Sequence, residues 1–130
     1  MKTSDDLKLV PINIKTYKKH RFKSFRGMSI HKNGYLSVTP LMQTELKLSI
    51  EDQIIFSKHK KRWFIRSAEK EGIKMSKIKN RLSIRAGVGL VGAICSDLQK
   101  TDKKITKLYI SRSRIPSNGL WWYELLTYQN

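Results

Sequence analysis

The stretch that decides the fold is Gly34-Tyr-Leu-Ser-Val-Thr-Pro-Leu-Met-Gln-Thr-Glu-Leu-Lys-Leu48. In its first part, apolar Leu36 and Val38 alternate with their neighbours, which predicts a short strand with one buried face. The pair Thr39-Pro40 is typical of a helix start, because threonine caps the first turn and proline fits the first helical position. We therefore expect a strand that passes directly into a short helix over about residues 40–48.

Downstream of this helix, two apolar segments flank a run of cations. Gln53-Ile-Ile-Phe-Ser57 and Arg62-Trp-Phe-Ile-Arg66 each have the length and the β-branched and aromatic content of a strand. The run Lys58-His-Lys-Lys-Arg62 fits the turn between them. The two segments are therefore predicted to form a β-hairpin.

The second half of the chain repeats this order. Arg81-Leu-Ser-Ile-Arg85 resembles the first strand through a shared Leu-Ser pair. A helix is expected over about residues 91–99, and a strand over Lys107-Leu-Tyr-Ile-Ser111. The turn residues Pro116-Ser-Asn-Gly119 then lead into Leu120-Trp-Trp-Tyr-Glu-Leu-Leu126, which closes a second hairpin.

The sequence therefore predicts an α+β fold that is mainly β, a small pseudo-symmetric barrel or sandwich built from two strand–helix–hairpin units. The length of 130 residues and the 39% of hydrophobic residues suit a single domain with one core. Residues 1–33 are expected to form a basic N-terminal arm with an edge strand at Leu7–Ile14. A first unit over 34–67 and a second over 78–127 could bury one shared core around a pseudo-two-fold axis.

The charge balance is the strongest functional signal. The chain has 27 Lys and Arg against 10 Asp and Glu, which gives a formal net charge of +17. So many like charges repel one another in a folded domain, and a polyanion relieves this repulsion. Nucleic acid is the commonest polyanion, and release of its counterions favours binding. Solubility alone is an alternative explanation, although a far smaller charge meets that need.

The cations are grouped in segments that contain few or no acidic residues. No acid occurs between Asp6 and Glu45, none occurs from Gly72 to Ser96, and a further basic segment follows Asp102. Contacts with phosphates give affinity, whereas contacts with base edges give specificity. The candidate phosphate contacts are Lys18, Lys19, Arg21, Lys23, Arg26 and Lys32 in the first segment, Lys58, Lys60, Lys61 and Arg62 in the hairpin turn, and Lys79, Arg81 and Arg85 in the second half.

Four segments of the first unit follow the order strand and proline, helix end, strand, and returning strand. They are Leu36-Ser-Val-Thr-Pro40, Leu46-Lys-Leu-Ser-Ile50, Asp52-Gln-Ile-Ile-Phe56 and Trp63-Phe-Ile65. This order resembles the swapped-hairpin family of AbrB-like and SpoVT-like regulators and antitoxins. The resemblance implies binding of duplex DNA by basic residues near the start of each half, and the matching positions here are Lys32, Lys79 and Arg81.

A glycine motif precedes the second predicted helix. Gly87-Val-Gly-Leu-Val-Gly92 has the G-x-G-x-x-G spacing of dinucleotide-binding turns. However, the chain after it is too short for the remainder of such a domain, and the ribose-binding acid expected about 20 residues further on is missing. Such glycines ordinarily serve close backbone packing, and docking of a nucleic-acid phosphate is the alternative. No cofactor is therefore predicted.

No catalytic or metal site is expected. The chain has three scattered histidines and one cysteine, without the spacing of a zinc site. Cys95 is expected to be a buried structural thiol on a helix. Because no carboxylate cluster or histidine pair suits phosphoryl chemistry, catalytic residues are also predicted to be absent.

The aromatic run Trp121-Trp-Tyr123 lies in the last predicted strand. Alternation places Trp122 on the face opposite the other two rings, so at least one ring should pack in the core while another could be exposed. An exposed ring could stack on a base, or contact a strand partner or a second subunit.

The sequence also bears on location. Residues 1–8 contain no apolar run typical of a signal peptide, and the longest uncharged stretch, 86–96, is too short for a membrane span. A single cysteine cannot form a disulfide within the chain. We therefore expect a cytoplasmic protein that does not bind a membrane.

These patterns together predict a non-catalytic nucleic-acid-binding protein with a regulatory or accessory role, and they favour double-stranded DNA over RNA. RNA binding is the first alternative, because aromatic residues lie among the cations. A basic protein-interaction or assembly module and an enzyme that acts on nucleic acid or nucleotides are the others. We expect a monomer with a pseudo-two-fold axis or a homodimer.

Overall fold

A computed structural model describes residues 25–128 of the chain. The edge strand expected at residues 7–14 and the candidate contacts Lys18, Lys19, Arg21 and Lys23 lie outside the described residues. In chain order, the elements are β1 (Gly27–Ile30), β2 (Tyr35–Val38), α1 (Pro40–Glu45), β3 (Gln53–His59), β4 (Arg62–Ala68), β5 (Ile73–Ile78), β6 (Arg81–Arg85), α2 (Val88–Leu98), β7 (Lys107–Ile110), β8 (Ile115–Ser117) and β9 (Leu120–Leu126).

Eight of these strands form a closed antiparallel barrel. Each strand is hydrogen-bonded to the next in the order β4-β3-β5-β6-β2-β1-β7-β9, and β9 pairs with β4 to close the ring. Strand β8 pairs with β9 outside the ring. The prediction of a mainly β α+β fold in the form of a small barrel is thereby confirmed, and the alternative sandwich is not the form observed.

Alternation along the strands sends one set of side chains into the barrel and the other set outward. Leu36 and Val38 on β2 and Leu82 and Ile84 on β6 point inward and are at most 2% exposed. Full burial of a side chain of this size contributes about 1.5–3 kcal/mol by removing apolar surface from water. Both helices pack on this core, through Met42 of α1 and Ile94 of α2. The other strands contribute the buried side chains of Met28, Ile54, Ile65, Leu108 and Leu125.

The start of α1 is fixed by Thr39, as the sequence predicts. Its hydroxyl oxygen accepts hydrogen bonds from the backbone N–H groups of Met42 at 3.3 Å and Gly27 at 3.2 Å. No side chain fits at Gly27, because a Cβ atom there would lie 1.9 Å from the carbonyl oxygen of Leu108. Thr39 therefore joins the start of α1 to the start of β1, where Gly27 packs against Leu108 of β7.

The ends of both helices differ from the expectation. Helix α1 ends at Glu45 instead of residue 48, because Lys47 takes a positive φ of 53° that cannot continue a helix. Helix α2 begins at Val88 instead of residue 91, so most of the glycine motif lies inside the helix. Gly87 caps it with a φ of 92° and donates its N–H to the carbonyl oxygen of Gly34 at 2.9 Å.

Two barrel strands also depart from the expectation. β1 lies in the segment expected to be a basic arm, and β5 lies in the segment left between the two units. In β5, Met75 is buried whereas Lys74 and Lys77 are exposed, and these two lysines interrupt the apolar pattern that would indicate a strand. Its inward face is nevertheless part of the core.

Within residues 25–128, no helix has the length and apolar character needed to cross a membrane.

We expect Thr39→Ala to lower the free energy of unfolding by about 1–2 kcal/mol, because it removes a helix cap and leaves the N–H of Gly27 without its acceptor. Urea unfolding followed by tryptophan fluorescence measures this change. Thr39→Ser keeps the hydroxyl and should retain most of the stability, and Thr44→Ala is the matched control on an exposed position of α1. Equal effects of the alanine substitutions at positions 39 and 44 would contradict the role of the cap.

Candidate nucleic-acid interface

A row of four serines crosses the outer face of four adjacent strands. Ser29 on β1 is opposite Ser37 on β2, and Ser37 is opposite Ser83 on β6. Ser83 in turn is opposite Ser76 on β5. Because the residues on either side of Ser37 and Ser83 fill the core, these two serines face outward.

Three of the four serines, Ser29, Ser37 and Ser83, lie in the floor of a groove with a volume of about 470 Å³, which we call the serine groove. Ser37 and Ser83 are only 7% and 4% exposed although they face away from the core. Within the described part of the chain, neither hydroxyl has a hydrogen-bond partner. Besides Ser29, Ser37 and Ser83, the lining consists of His31, Asn33 and Tyr35 from the β1–β2 hairpin and Ile78, Lys79 and Arg81 from the β5–β6 hairpin.

Four of the predicted phosphate contacts meet on these strands. Lys79 and Arg81 line the groove, and Lys32 is exposed in the turn that carries His31 and Asn33. Arg85 lies opposite Tyr35 across β2 and β6, with its guanidinium carbon 5.3 Å from the centre of the Tyr35 ring. Residues far apart in the sequence therefore form one cationic and polar surface, and none of the described residues that line the groove is acidic.

The turn that presents Lys79 has an unfavourable composition. Lys79 and Asn80 form a two-residue turn in which both have positive φ, 51° and 66°. This geometry favours Asn-Gly, and the turn between β8 and β9 has that pair at Asn118-Gly119, with φ of 52° and 78°. Lysine at position 79 therefore stabilises its turn less than asparagine would, and the chain has asparagine at the equivalent position 118.

Lys58, at the start of the cationic run, is paired with a carboxylate on α2. Its Nζ donates to Oδ2 of Asp97 at 3.0 Å, and the indole N–H of Trp63 donates to the same oxygen at 2.9 Å. Hydrogen bonds from Lys58 and Trp63, together with the nearby charge of Lys61, hold the pKa of Asp97 below its ordinary value. Lys58 is thus partly neutralised, and its main contact joins the hairpin to α2.

Arg62, at the end of the run, is also paired. Its guanidinium donates to the two carboxylate oxygens of Glu124 at 2.8 and 3.0 Å, and these bonds lower the pKa of Glu124. Between the two paired residues, Lys60 and Lys61 form the tip of the turn. Both are exposed, and neither makes an ion pair within residues 25–128. Lys60 and Lys61 are therefore the members of the run that are available to a phosphate.

Arg26 is held by contacts within the protein. It forms an ion pair with Glu45, and its Nη1 lies 3.4 and 3.5 Å from the carbonyl oxygens of Ile110 and Ser111. These contacts connect the start of β1 to α1 and to the end of β7. Most of its donors are thus directed at the protein, so Arg26 is less available to a ligand than the exposed cations are.

The sequence did not single out most of the groove. Ser37, Ser83, Asn33 and Tyr35 were not among the candidate contacts, because serine and asparagine are common in strands and turns. The repeated Leu-Ser pair is the signal that could have found the floor, since it places serines on equivalent strands. Showing that Ser37 and Ser83 lie directly opposite each other requires the strand register.

Among residues 25–128, Cys95, His31 and His59 belong to no cluster of metal-ligating side chains. Cys95 is half-buried on α2, and burial raises the pKa of its thiol. Among the described residues, no three His, Cys, Asp or Glu side chains are placed to hold a metal ion.

Comparison of the chain with protein-family models, with curated proteins and with solved structures finds no match. The resemblance to the AbrB-like and SpoVT-like family accordingly stays a prediction.

The lowered pKa of Asp97 predicts a specific dependence of stability on pH. A carboxylate whose pKa is lower in the folded state stabilises the protein at neutral pH, and this contribution is lost as the pH falls through its folded-state pKa. Asp97→Asn should therefore destabilise the protein at neutral pH, and the difference from the wild type should shrink on acidification. Urea unfolding at a series of pH values tests this, with Asp102→Asn as a control of equal charge. Parallel pH profiles for the two variants would show that the contacts of Asp97 are not the cause.

Proposed function

We propose that the protein is a non-catalytic nucleic-acid-binding protein that holds the backbone of duplex DNA along the serine groove, in a regulatory or accessory role. The observation that carries this proposal is the groove itself, a concave outer surface with hydroxyl groups on its floor and cations at its hairpin. The net charge of +17 attracts a polyanion to the protein, and the groove is the surface on which we expect the polyanion to bind.

The groups in the groove are those that bind phosphates. Serine, asparagine and tyrosine side chains donate hydrogen bonds to phosphate oxygens, and lysine and arginine add charge. The hydroxyls of Ser37 and Ser83 have no partner within residues 25–128, so they can donate to a ligand. The absence of acidic residues among those that line the groove removes a repulsive term.

The proposal includes a pseudo-two-fold arrangement of the two units. Strands β2 and β6 pair with Ser37 opposite Ser83, and strands β4 and β9 pair with Ile65 opposite Tyr123. Each of these pairs joins corresponding strands of the two units in antiparallel register, as a two-fold axis requires. An axis through both pairs would pass through the floor of the serine groove.

The flanking strands support the same relation. Met28 on β1 lies opposite Val38 on β2, and Met75 on β5 lies opposite Ile84 on β6. In both cases a serine follows the methionine. We infer that one chain supplies both halves, so that the protein acts as a monomer, and we keep the cytoplasmic location expected from the sequence.

Binding to duplex DNA should weaken steeply as salt rises. If about four phosphates are neutralised, a plot of log K against log salt concentration should have a slope of about −3 to −4. Fluorescence anisotropy with a labelled random-sequence duplex measures this slope. A flat dependence would exclude binding through phosphates, and tighter binding of single-stranded RNA of equal length would show that the DNA assignment is wrong.

An exchange of turn sequences tests the groove separately from net charge. The exchange variant carries Lys79→Asn and Asn80→Gly in one turn and Asn118→Lys and Gly119→Asn in the other, so composition and charge are unchanged. We expect affinity for duplex DNA to fall about three- to tenfold and the salt slope to become shallower by about one.

The two halves of the exchange serve as controls for folding. The change at positions 79 and 80 alone should stabilise the fold by about 1 kcal/mol, because it removes the backbone strain of a lysine with positive φ. It should still weaken binding. The change at 118 and 119 alone should lower stability without a loss of affinity. Unchanged affinity in the full exchange variant would show that charge acts without regard to position and that the groove is not the binding surface.

A further inference from the structure

A second concave surface lies on the far side of the barrel from the serine groove. It is a cleft of about 530 Å³ between β4, β9 and the segment after α1. In the ring of strands, β4 and β9 are separated from β2 and β6 by two strands on each side. We call this cleft the tryptophan cleft, and its lining consists of Glu45, Leu46, Lys47, Arg66, Ser67, Arg114, Trp121 and Tyr123.

Trp121 offers an aromatic surface in this cleft. It is 51% exposed, whereas Tyr123, on the same face of β9, packs against the core. The guanidinium carbon of Arg114 lies 4.7 Å from the centre of the Trp121 ring. A large exposed indole beside a guanidinium suits a ligand that combines a planar ring with negative charge.

Arg66 brings a buried donor without a partner to the lining of the cleft. Its Nε is buried, and it makes no hydrogen bond within the described part of the chain. The guanidinium carbon lies 5.3 Å from the centre of the Trp122 ring, which holds the group in place without giving its N–H an acceptor. Buried donors are almost always satisfied in folded proteins, and guanidinium groups bind phosphate oxygens with paired hydrogen bonds.

The charge in the cleft is positive. Lys47, Arg66 and Arg114 line it, and the one carboxylate in its described lining, that of Glu45, is already paired with Arg26. Lys47 also has a φ of 53°, a conformation that favours glycine or asparagine. The cleft therefore combines a stacking surface, a guanidinium whose Nε has no partner among the described residues, and two further cations.

We propose that the tryptophan cleft binds one unpaired nucleotide, with its base stacked on Trp121 and its phosphate held by Arg66 and Arg114. A duplex cannot satisfy the site, because its bases are stacked on one another and present only their edges. The nucleotide is either free or part of a single-stranded segment. This inference does not depend on the serine groove, because the two surfaces lie on different strands.

The direct test compares four ligands of the wild-type protein: a mononucleotide, a short oligothymidylate, an abasic strand of equal length, and a duplex of equal length. Binding is followed by isothermal titration calorimetry and by quenching of tryptophan fluorescence. The oligothymidylate should bind about tenfold or more tightly than the abasic strand, because only the former has bases to stack. Equal binding of the two strands would overturn the proposal.

Substitutions locate the effect in the cleft. Trp121→Leu should lower the affinity for oligothymidylate about tenfold, Trp121→Phe should restore much of it, and neither should change binding to the duplex. Arg66→Met and Arg114→Met should have similar effects on the oligothymidylate. Arg112→Met is the matched control, because it removes an exposed cation of the same segment that does not line the cleft.

The outcomes separate the two proposals and the two sources of the ligand. Quenching by the mononucleotide that disappears in Trp121→Leu identifies a free nucleotide as a sufficient ligand, whereas quenching by the oligothymidylate alone identifies a strand. If Trp121→Leu weakens duplex and single strand equally, the cleft is not specific for unpaired nucleotides.

If the substitution changes only the sedimentation of the ligand-free protein, the exposed indole is a contact between copies and the proposal is wrong. None of these results alters the expectation for the turn exchange.

Discussion

The pairing of β4 with β9 is the constraint on which the barrel depends. It places Phe64 opposite Glu124 and Ile65 opposite Tyr123, and so joins the hairpin of the first half to the last strand of the second. Without it, both strands would expose unpaired backbone donors and acceptors, and the interior would be open along Ile65. The hydrogen bonds from Arg62 to Glu124 cross the same pair of strands and add charge-assisted contacts to the closure.

Closure also determines where function can be located. Because the interior is filled by apolar side chains, ligands have access only to the outer surface of the barrel, including its ends, the helices and the turns. The two concave surfaces differ in chemistry: small hydroxyl side chains line the one at β2 and β6, whereas Trp121 and two arginines line the one at β4 and β9. A polar groove suits a continuous backbone of phosphates, and an aromatic cleft suits a single exposed base. The two proposed surfaces therefore lie on different strands of one closed barrel and do not compete for the same residues.

Local signals in the sequence were sufficient for much of the fold. The alternation in β2 and β6, the Thr39-Pro40 helix start and the hairpin around Lys60 were all predictable, because each depends on neighbouring residues. β5 was missed since its lysines conceal the one buried methionine, Met75. The start of α2 was placed too late because glycines ordinarily break helices, whereas here Gly89 and Gly92 lie within one.

The candidate sites were harder to predict than the strands, because they depend on register between distant segments. The sequence indicated Lys79, Arg81 and Arg85 by their charge, and the first two also by the family resemblance, but it gave no reason to place them beside Tyr35. It treated the whole cationic run of the β3–β4 turn as available, although Lys58 and Arg62 are paired with carboxylates from other elements. Charge is visible in a sequence, while the partner that neutralises it is a property of the fold.

Two different effects destabilise this chain, namely repulsion among its cations and backbone strain at lysines with positive φ. Repulsion among a net charge of +17 is spread over the whole molecule, and any polyanion relieves it wherever it binds. The backbone strain at Lys47, Lys60 and Lys79 is local, and neutralising their charge does not remove it. The chain uses Asn118-Gly119 where a turn only has to reverse direction, so lysine in comparable turns is not required by the fold. Lys47 lines the tryptophan cleft and Lys79 lines the serine groove, whereas Lys60 and the similarly strained Glu71 line neither, so strain accompanies the two surfaces without being confined to them.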